Sequence, residues 1–315
     1  MCRGLTVDCD FAIAKRQAGP MKVRIAISPG ASTPDPTTLG ALIDGLEGHG
    51  FDTIWLSDVP MGPMVDPLLG LAFAASRTTR LKLGANVVPF GRSPFVLAKE
   101  LAQLDQLSNG RLLLSLVPGL DQPGERAALT IGRRHRGHAL DELIPLLRRW
   151  WNGETVDHDG ETFQCTGLSL PARPVQQPLE IWLGGVGPAA IDRSGRLSDG
   201  WLGANLTPSE AGIATRRILE IADAAGRDID PEHFGLSIPY SRTPLSPEVM
   251  VAMRARRPDG ELAGILPVGC DALRRLLGEL VDEGLSKFVL RPLGPIDEWN
   301  EELDWLADTV LDLQS

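Results

Sequence analysis

From Met21 onward the chain alternates short apolar runs with longer segments whose apolar residues recur every three or four positions. Residues 23–28 (VRIAIS) are strand-like. Leu39, Leu42, Ile43 and Leu46 then fall at i, i+3, i+4 and i+7, the spacing of one buried helix face. Further strand-like runs span residues 53–58, 81–87, 111–117, 179–183, 200–204, 233–240 and 287–291. Helical stripes follow them. One covers 66–77 and is entered through Pro67, and one carries Leu97, Leu101, Leu104 and Leu107 behind Ser93-Pro94. Another carries Leu140, Leu143, Ile144 and Leu147 around Pro145, which is expected to kink it. Leu273, Leu276, Leu277 and Leu280 form a further stripe, and Trp299, Leu303, Leu306, Val310 and Leu313 the last. Residues 155–170 read as a β-hairpin turning at Asp159-Gly160, and the Pro-rich stretch 241–270 reads as a long loop after the seventh strand.

Eight strand–helix alternations with continuously apolar strands imply a parallel sheet with helices outside, and eight such units closing on themselves make a (β/α)8 TIM barrel. A doubly wound open sheet is the alternative, but no GxGxxG opens the first βα unit. Residues 1–20 differ in character and read as an N-terminal extension, non-native or disordered, or as a misplaced start, leaving 21–315 as a single domain.

Composition narrows the function. Of 315 residues, 43% are hydrophobic, enough for a large core, and the net charge of −10 with a pI near 5.1 argues against a duplex nucleic-acid or anionic-membrane surface. No apolar run reaches 18 residues, and no secretory pattern opens the chain. Cys2, Cys9, Cys165 and Cys270 lie far apart with no metal-type spacing, so no metal site is expected and the setting reads as a reducing cytoplasm.

In a TIM barrel the chemistry sits at the C-terminal strand ends. Here those ends carry Ser28, Ser57-Asp58, Ala85-Asn86, Gly119, Gly184-Gly185, Ala204-Asn205, Tyr240 and Arg291. Small residues dominate, as though the rim admits something large and flat that brings its own reactivity. Asp58 and Tyr240 are the candidate catalytic groups, although Asp58 could equally cap a helix and Tyr240 merely pack. Gly184-Gly185-Val186-Gly187 before a helix suits either an anion at the helix N-terminus or a tight βα turn. Arg291 suits an anionic substrate group. Arg133, Arg134, His135, Arg136 and His138 read as a solvated helix face, or as a basic patch for an acidic ligand tail.

The runs GFDTIWLSD, TTRLKLGANVVP, SPFVLAKELAQLDQLSNGRLLLSL, LLRRWWNGETVDHDGETFQ, LPARPVQQPLEIWLGG and RLSDGWLGANLTPSE resemble the luciferase-like monooxygenase superfamily, most closely its coenzyme F420-dependent oxidoreductase branch. The resemblance implies a barrel holding F420, or alternatively FMN, through Asp58, Ala85, Asn86, Val87, Gly119, Gly184, Gly185, Gly187, Ala204 and Asn205. It implies a non-prolyl cis peptide at Asn86–Val87 behind the ring, the alternative being an ordinary trans strand end. The cofactor phosphate would sit between the loops at 184–187 and 203–205. Two positions depart from the family: Val59 stands where His is frequent after the Asp, and Pro118-Gly119-Leu120 stands where sugar-phosphate dehydrogenases carry a Glu. These departures argue against sugar-phosphate oxidation. The resemblance thus implies hydride exchange between deazaflavin C5 and a small organic substrate. A two-component FMN monooxygenase and a non-catalytic cofactor-binding protein stand as alternatives. Family members commonly pair, so a homodimer is expected.

Overall fold

The computed structural model describes residues 21–30, 35–120, 123–131, 133–247, 250–251, 254 and 262–315. The chain runs β1 (Arg24–Ile27), α1 (Pro36–His49), β2 (Thr53–Ser57), α2 (Pro67–Arg77), β3 (Lys82–Val87), α3 (Pro94–Leu107), β4 (Leu112–Leu116), α4 (Pro123–Ala128) and α5 (Arg133–Trp151). It continues through a hairpin of β5 (Thr155–Asp159) and β6 (Gln164–Ser169), then β7 (Ile181–Gly184), α6 (Pro188–Leu197), β8 (Gly200–Ala204), α7 (Pro208–Ala224), β9 (Phe234–Tyr240), α8 (Cys270–Asp282), β10 (Lys287–Pro292) and α9 (Trp299–Val310). Eight strands close in the order β1-β10-β9-β8-β7-β4-β3-β2, every pair parallel, and β5-β6 stands apart as an antiparallel ribbon. The structure is the expected TIM barrel with its hairpin excursion.

Proline sets the start of many of the outer helices. Pro36, Pro67, Pro94, Pro188 and Pro208 each occupy the first turn, where a missing N–H costs nothing. Asp35 caps α1 by accepting from the Thr37 and Thr38 amides at 2.8 and 2.9 Å, and Gly50 closes it at φ 84°, a left-handed conformation that favours glycine. The buried stripe of α1 is the expected Leu39, Leu42, Ile43 and Leu46. In α3 the stripe is shorter than expected: Leu97, Leu101 and Leu104 are buried, whereas Leu107 in the last turn is 70% exposed. α5 runs through Pro145 without a break. The short α4 was not legible in the polar run before α5. Residues 1–20 lie outside the described residues, as do 248–249, 252–253 and 255–261 of the expected loop at 241–270, whose described part includes a 3-10 turn at Leu262–Gly264.

The strands are buried on both faces. Odd–even alternation sends Ile25, Ile27, Leu83, Ala85, Val87, Leu114 and Leu116 outward to the helices, in one core with Leu42, Leu97 and Leu101. The opposite faces converge inside the barrel, where Ala26, Trp55, Trp182, Leu202 and Val289 form a separate cluster with Leu113. Below it, at the N-terminal strand ends, Lys287 is 2% exposed and its ammonium is bound by Asp52 and Thr53, while Lys82 reaches the same carboxylate at 3.1 Å. Burial brings Lys287 down to about 8. Burial alone would raise Asp52, but the two ammoniums prevail and hold it well below the usual carboxylate range. This end of the barrel is closed by paired charges, which directs ligands to the other.

Glu47 of α1 ties the barrel wall together. Its carboxylate accepts from the Thr79, Arg80 and Leu81 amides at 3.0, 3.1 and 2.8 Å, at the turn into β3. Burial opposes ionisation, yet these amides outweigh it and lower Glu47 from 4.5 to about 2. Because the folded value lies below the unfolded one, the stabilisation is complete above pH 4.5 and disappears as the pH falls to about 2. Glu47→Gln is expected to lose about 2 kcal/mol at pH 7. Its deficit in urea melts should shrink on acidification; a deficit independent of pH would contradict this reading.

Candidate functional site

At the C-terminal end, the inward positions next above the Trp55–Trp182 cluster are small and mostly polar: Ser28, Ser57, Asn86, Ser115, Gly184 and Ala204. Strand pairing sets Ser57 beside Asn86 and Asn86 beside Ser115, so β2, β3 and β4 contribute one row across the barrel wall. The floor beneath is aromatic. Trp55 pairs with Gly84, and a Cβ on that glycine would lie 2.2 Å from the indole. Trp182 pairs with Gly200, where a Cβ would lie 2.5 Å from the ring. Both glycines are required by an indole lying across the neighbouring strand. That explains the small residue inside β3 without any ligand.

The row is incompletely satisfied. Asn86 Nδ2 donates to Ser57 Oγ at 3.0 Å, but Asn86 Oδ1, Ser115 Oγ and Trp55 Nε1 are buried with no hydrogen-bond partner. Ser115 is fully buried. Polar atoms left this way cost about 1–3 kcal/mol each, so they point to something that completes them. The serines were named only in passing from sequence, or not at all, because a serine in an apolar strand carries no chemical signature.

Several expectations require correction. The Asn86–Val87 peptide is trans, and Gln177–Pro178 is the cis bond among the described residues. The β3 ladder runs straight through this point: Asn86 O accepts from Asp58 N at 2.8 Å and Val87 O from Val117 N at 3.0 Å, a regular pairing that needs a trans bond. Ala85 sends its side chain outward into the helix-facing core, beside Val87, so it is not small to clear a ring. Asn86 alone of the three faces inward.

Asp58 is held at the loop after β3. Its carboxylate accepts from the Val88 amide at 3.2 Å and meets Arg92 at 3.4 Å, while Arg92 grips Asp66 at 2.6 Å. Burial raises the Asp58 pKa, with Arg92 and the Val88 amide opposing it. The group fastens the loop after β3. Tyr240 lies on the helix side of β9: its hydroxyl donates to Glu302 at 2.6 Å and its ring stacks on Trp305 at 5.8 Å. Burial, then the Glu302 charge, pushes that hydroxyl well above its ordinary value, which makes it a poor acid. Arg242 bonds the same carboxylate at 3.2 Å, completing a packed lock.

The basic run at the head of α5 divides. His135 and His138 are exposed, and the Arg133 and Arg134 side chains lie outside the described residues. Arg136, by contrast, is 1% exposed; its Nη1 donates to Pro118 O and Leu120 O at 2.9 and 3.0 Å, 3.7 Å from the buried Glu125. Glu125 accepts from Leu120 N at 2.8 Å. Gly119 has φ 78°, and a Cβ there would lie 2.5 Å from Glu125, so the pair moulds the loop after β4 around a glycine. Glu125 was missed because the segment that forms α4 reads as part of a long polar run.

The glycine loop after β7 leads into α6. Gly187 is the N-cap, no side chain caps the helix and no acidic residue stands in its first turn. The neighbouring α7 is closed by its own capping box, Thr207 and Glu210. Gly185 sits at φ 108° and Asn205 at φ 57°, both left-handed turns beside this end. Arg291, one residue before the end of β10, stands on the inward face, partly exposed. Among the described residues no group of His, Cys, Asp and Glu could hold a metal, and no helix is long and apolar enough to cross a membrane.

This barrel, with its small-residue mouth and an uncapped helix beside it, belongs to the luciferase-like monooxygenase family: residues 20–257 match that family's pattern. One relative is sulfoquinovose monooxygenase of Agrobacterium fabrum, 34% identical over 177 residues, covering 55% of this chain and 44% of the relative. Another is the F420-dependent glucose-6-phosphate dehydrogenase of Nakamurella multipartita, 30% identical over 196 residues, covering 58% and 56%. The chain thus spans about half the length of these curated relatives. In three dimensions the coenzyme F420 dependent tetrahydromethanopterin reductase of Methanopyrus kandleri shares the fold, with a TM-score of 0.75, 19% identity and coverage of 94% and 100%.

The packing of the floor can be tested without ligand. Gly84→Ala should destabilise the protein by about 2–3 kcal/mol, since Trp55 cannot withdraw within a filled barrel. Denaturation followed by indole fluorescence measures it, and an unchanged midpoint would refute the described packing.

Proposed function

We propose that the barrel mouth binds coenzyme F420 and that the protein passes a hydride between the deazaflavin C5 and a small organic substrate. The observation that carries this reading is the row of small inward residues with buried, unpaired polar atoms at Asn86 and Ser115 above an indole floor. Such a surface fits a flat ring with a polar edge. The family supplies the ring's redox chemistry: when bound, the deazaflavin gives or takes two electrons as hydride. The chain's own residues bind, orient and exclude water. Trp55 and Trp182 seal the barrel below the ring. Asp58 and Arg92 fix the loop beside it, and Glu125 with Arg136 shapes the loop after β4 at Gly119. Backbone at Gly184, Gly185 and Gly187, with Ala204 and Asn205 opposite, lies where an anionic tail meets the free N-terminus of α6. Arg291 provides a cation on the inward rim for an anionic substrate group. With Asp58 and Tyr240 already engaged, the favoured substrates are those whose hydride chemistry leaves proton transfer to solvent. A cytoplasmic homodimer belongs to the same proposal.

A second reading has support of its own: the similarity to sulfoquinovose monooxygenase favours a flavin-dependent monooxygenase supplied with reduced FMN. Titration with F420 and with FMN, followed by fluorescence, distinguishes the two. F420 binding supports the first reading, and oxygen uptake with reduced FMN but not with F420 selects the second. Tight binding with no turnover across enones, alcohols and imines would identify a carrier. Gly187→Asp tests the phosphate site. No atom stands within 4 Å of a Cβ there, and aspartate would cap α6 itself. Affinity for F420 should fall about tenfold with stability unchanged or slightly raised. Unaltered affinity would remove the anion from this helix.

A further inference from the structure

The pairing of Ser57, Asn86 and Ser115 on adjacent strands carries a more specific conclusion, which rests on the proposed binding of a flavin-type ring in the mouth. We propose that Asn86 and Ser115, assisted by Trp55, read the imide edge of that ring, the C=O, N–H, C=O sequence shared by deazaflavin and flavin pyrimidinediones.

The three unpaired atoms form a small inventory of opposite polarity. Trp55 Nε1 is a donor only, Asn86 Oδ1 an acceptor only, and the Ser115 hydroxyl either. An imide edge presents two acceptors flanking one donor, so the counts match: two protein donors, one protein acceptor. The Asn86 amide is oriented for this task, because its Nδ2 is already held by Ser57 Oγ at 3.0 Å, which leaves the oxygen as the open side. Strand pairing keeps the groups in place, with Ser57, Asn86 and Ser115 in register and Trp55 one inward position below Ser57. A ring read at this edge enters the barrel with its pyrimidine end deepest, and its side-chain tail leaves over the rim toward α6. Recognition of this edge is independent of whether position 5 of the ring is carbon or nitrogen. The residues would therefore select a pyrimidinedione over other flat molecules without choosing between F420 and FMN.

The test uses the full chain and matched rings whose imide nitrogen is free or methylated, taken from whichever series, deazaflavin or flavin, the wild type binds. Fluorescence titration should show that methylation weakens binding to the wild type by about tenfold, the effect of one lost hydrogen bond that leaves a buried group unpaired. In Asn86→Ala the free ring should bind about tenfold more weakly and the methyl penalty should nearly vanish, the coupling expected when both changes remove one contact. Ser115→Ala should weaken both rings alike. Its apo melting temperature should stay level or rise, because the change deletes an unpaired hydroxyl; a purely structural serine would lower it. If the wild type binds rings but methylation and both substitutions leave affinity unchanged, the imide assignment is overturned while the cofactor proposal stands. If the wild type binds neither F420 nor FMN, the cofactor proposal falls, and the assignment with it.

Discussion

The barrel depends on two indoles that cross its interior. Trp55 and Trp182 each lie over a neighbouring strand, and each demands glycine there, Gly84 and Gly200, since a methyl group would sit inside the ring. With Ala26, Leu202 and Val289 they make a plug that divides the barrel in two. Below the plug, Lys287, Asp52, Lys82 and Thr53 satisfy one another in a closed charged layer. Above it the inward residues turn small, and their polar atoms are left open. One packing choice therefore seals the far end, fixes the depth of the mouth and supplies its floor.

The rim follows from the same economy of reactive groups. Its conspicuous titratable side chains are engaged in holding loops: Asp58 with Arg92, Tyr240 with Glu302 and Arg242, Glu125 with Arg136. Among the described residues, what remains on the inward strand ends is chiefly hydroxyls, an amide and glycine backbone. Such a set orients and desolvates a ligand that carries its own reactivity. It is poorly suited to chemistry that needs a free carboxylate or imidazole from the protein.

The architecture was largely legible in the sequence because a doubly buried strand is a short continuous apolar run and an outer helix is a stripe of period 3.6, and the two alternate eight times. The site was legible only as a location. Strands apolar on both faces do not reveal which parity points inward, so Tyr240 and Ala85 were read as facing the mouth when β9 and β3 turn them to the helices. Arg136 was read as part of a wet charged run because its partner, Glu125, comes from a separate short helix that only folding brings near. The cis bond expected after Asn86 is absent: β3 stays paired with β2 as far as Asn86 and with β4 as far as Val87. The serines that matter most carry no pattern at all, and their importance shows only as unpaired atoms in a filled interior.

The most direct measurement is a crystal structure of the full chain with F420 or FMN bound. The account expects the ring above Trp55 and Trp182, its imide edge within about 3 Å of Asn86 and Ser115 and its phosphate at the first turn of α6. A ring bound outside the barrel, in the cleft between Tyr240, Pro292 and Glu302, with the row at Ser57, Asn86 and Ser115 occupied only by water, would contradict it.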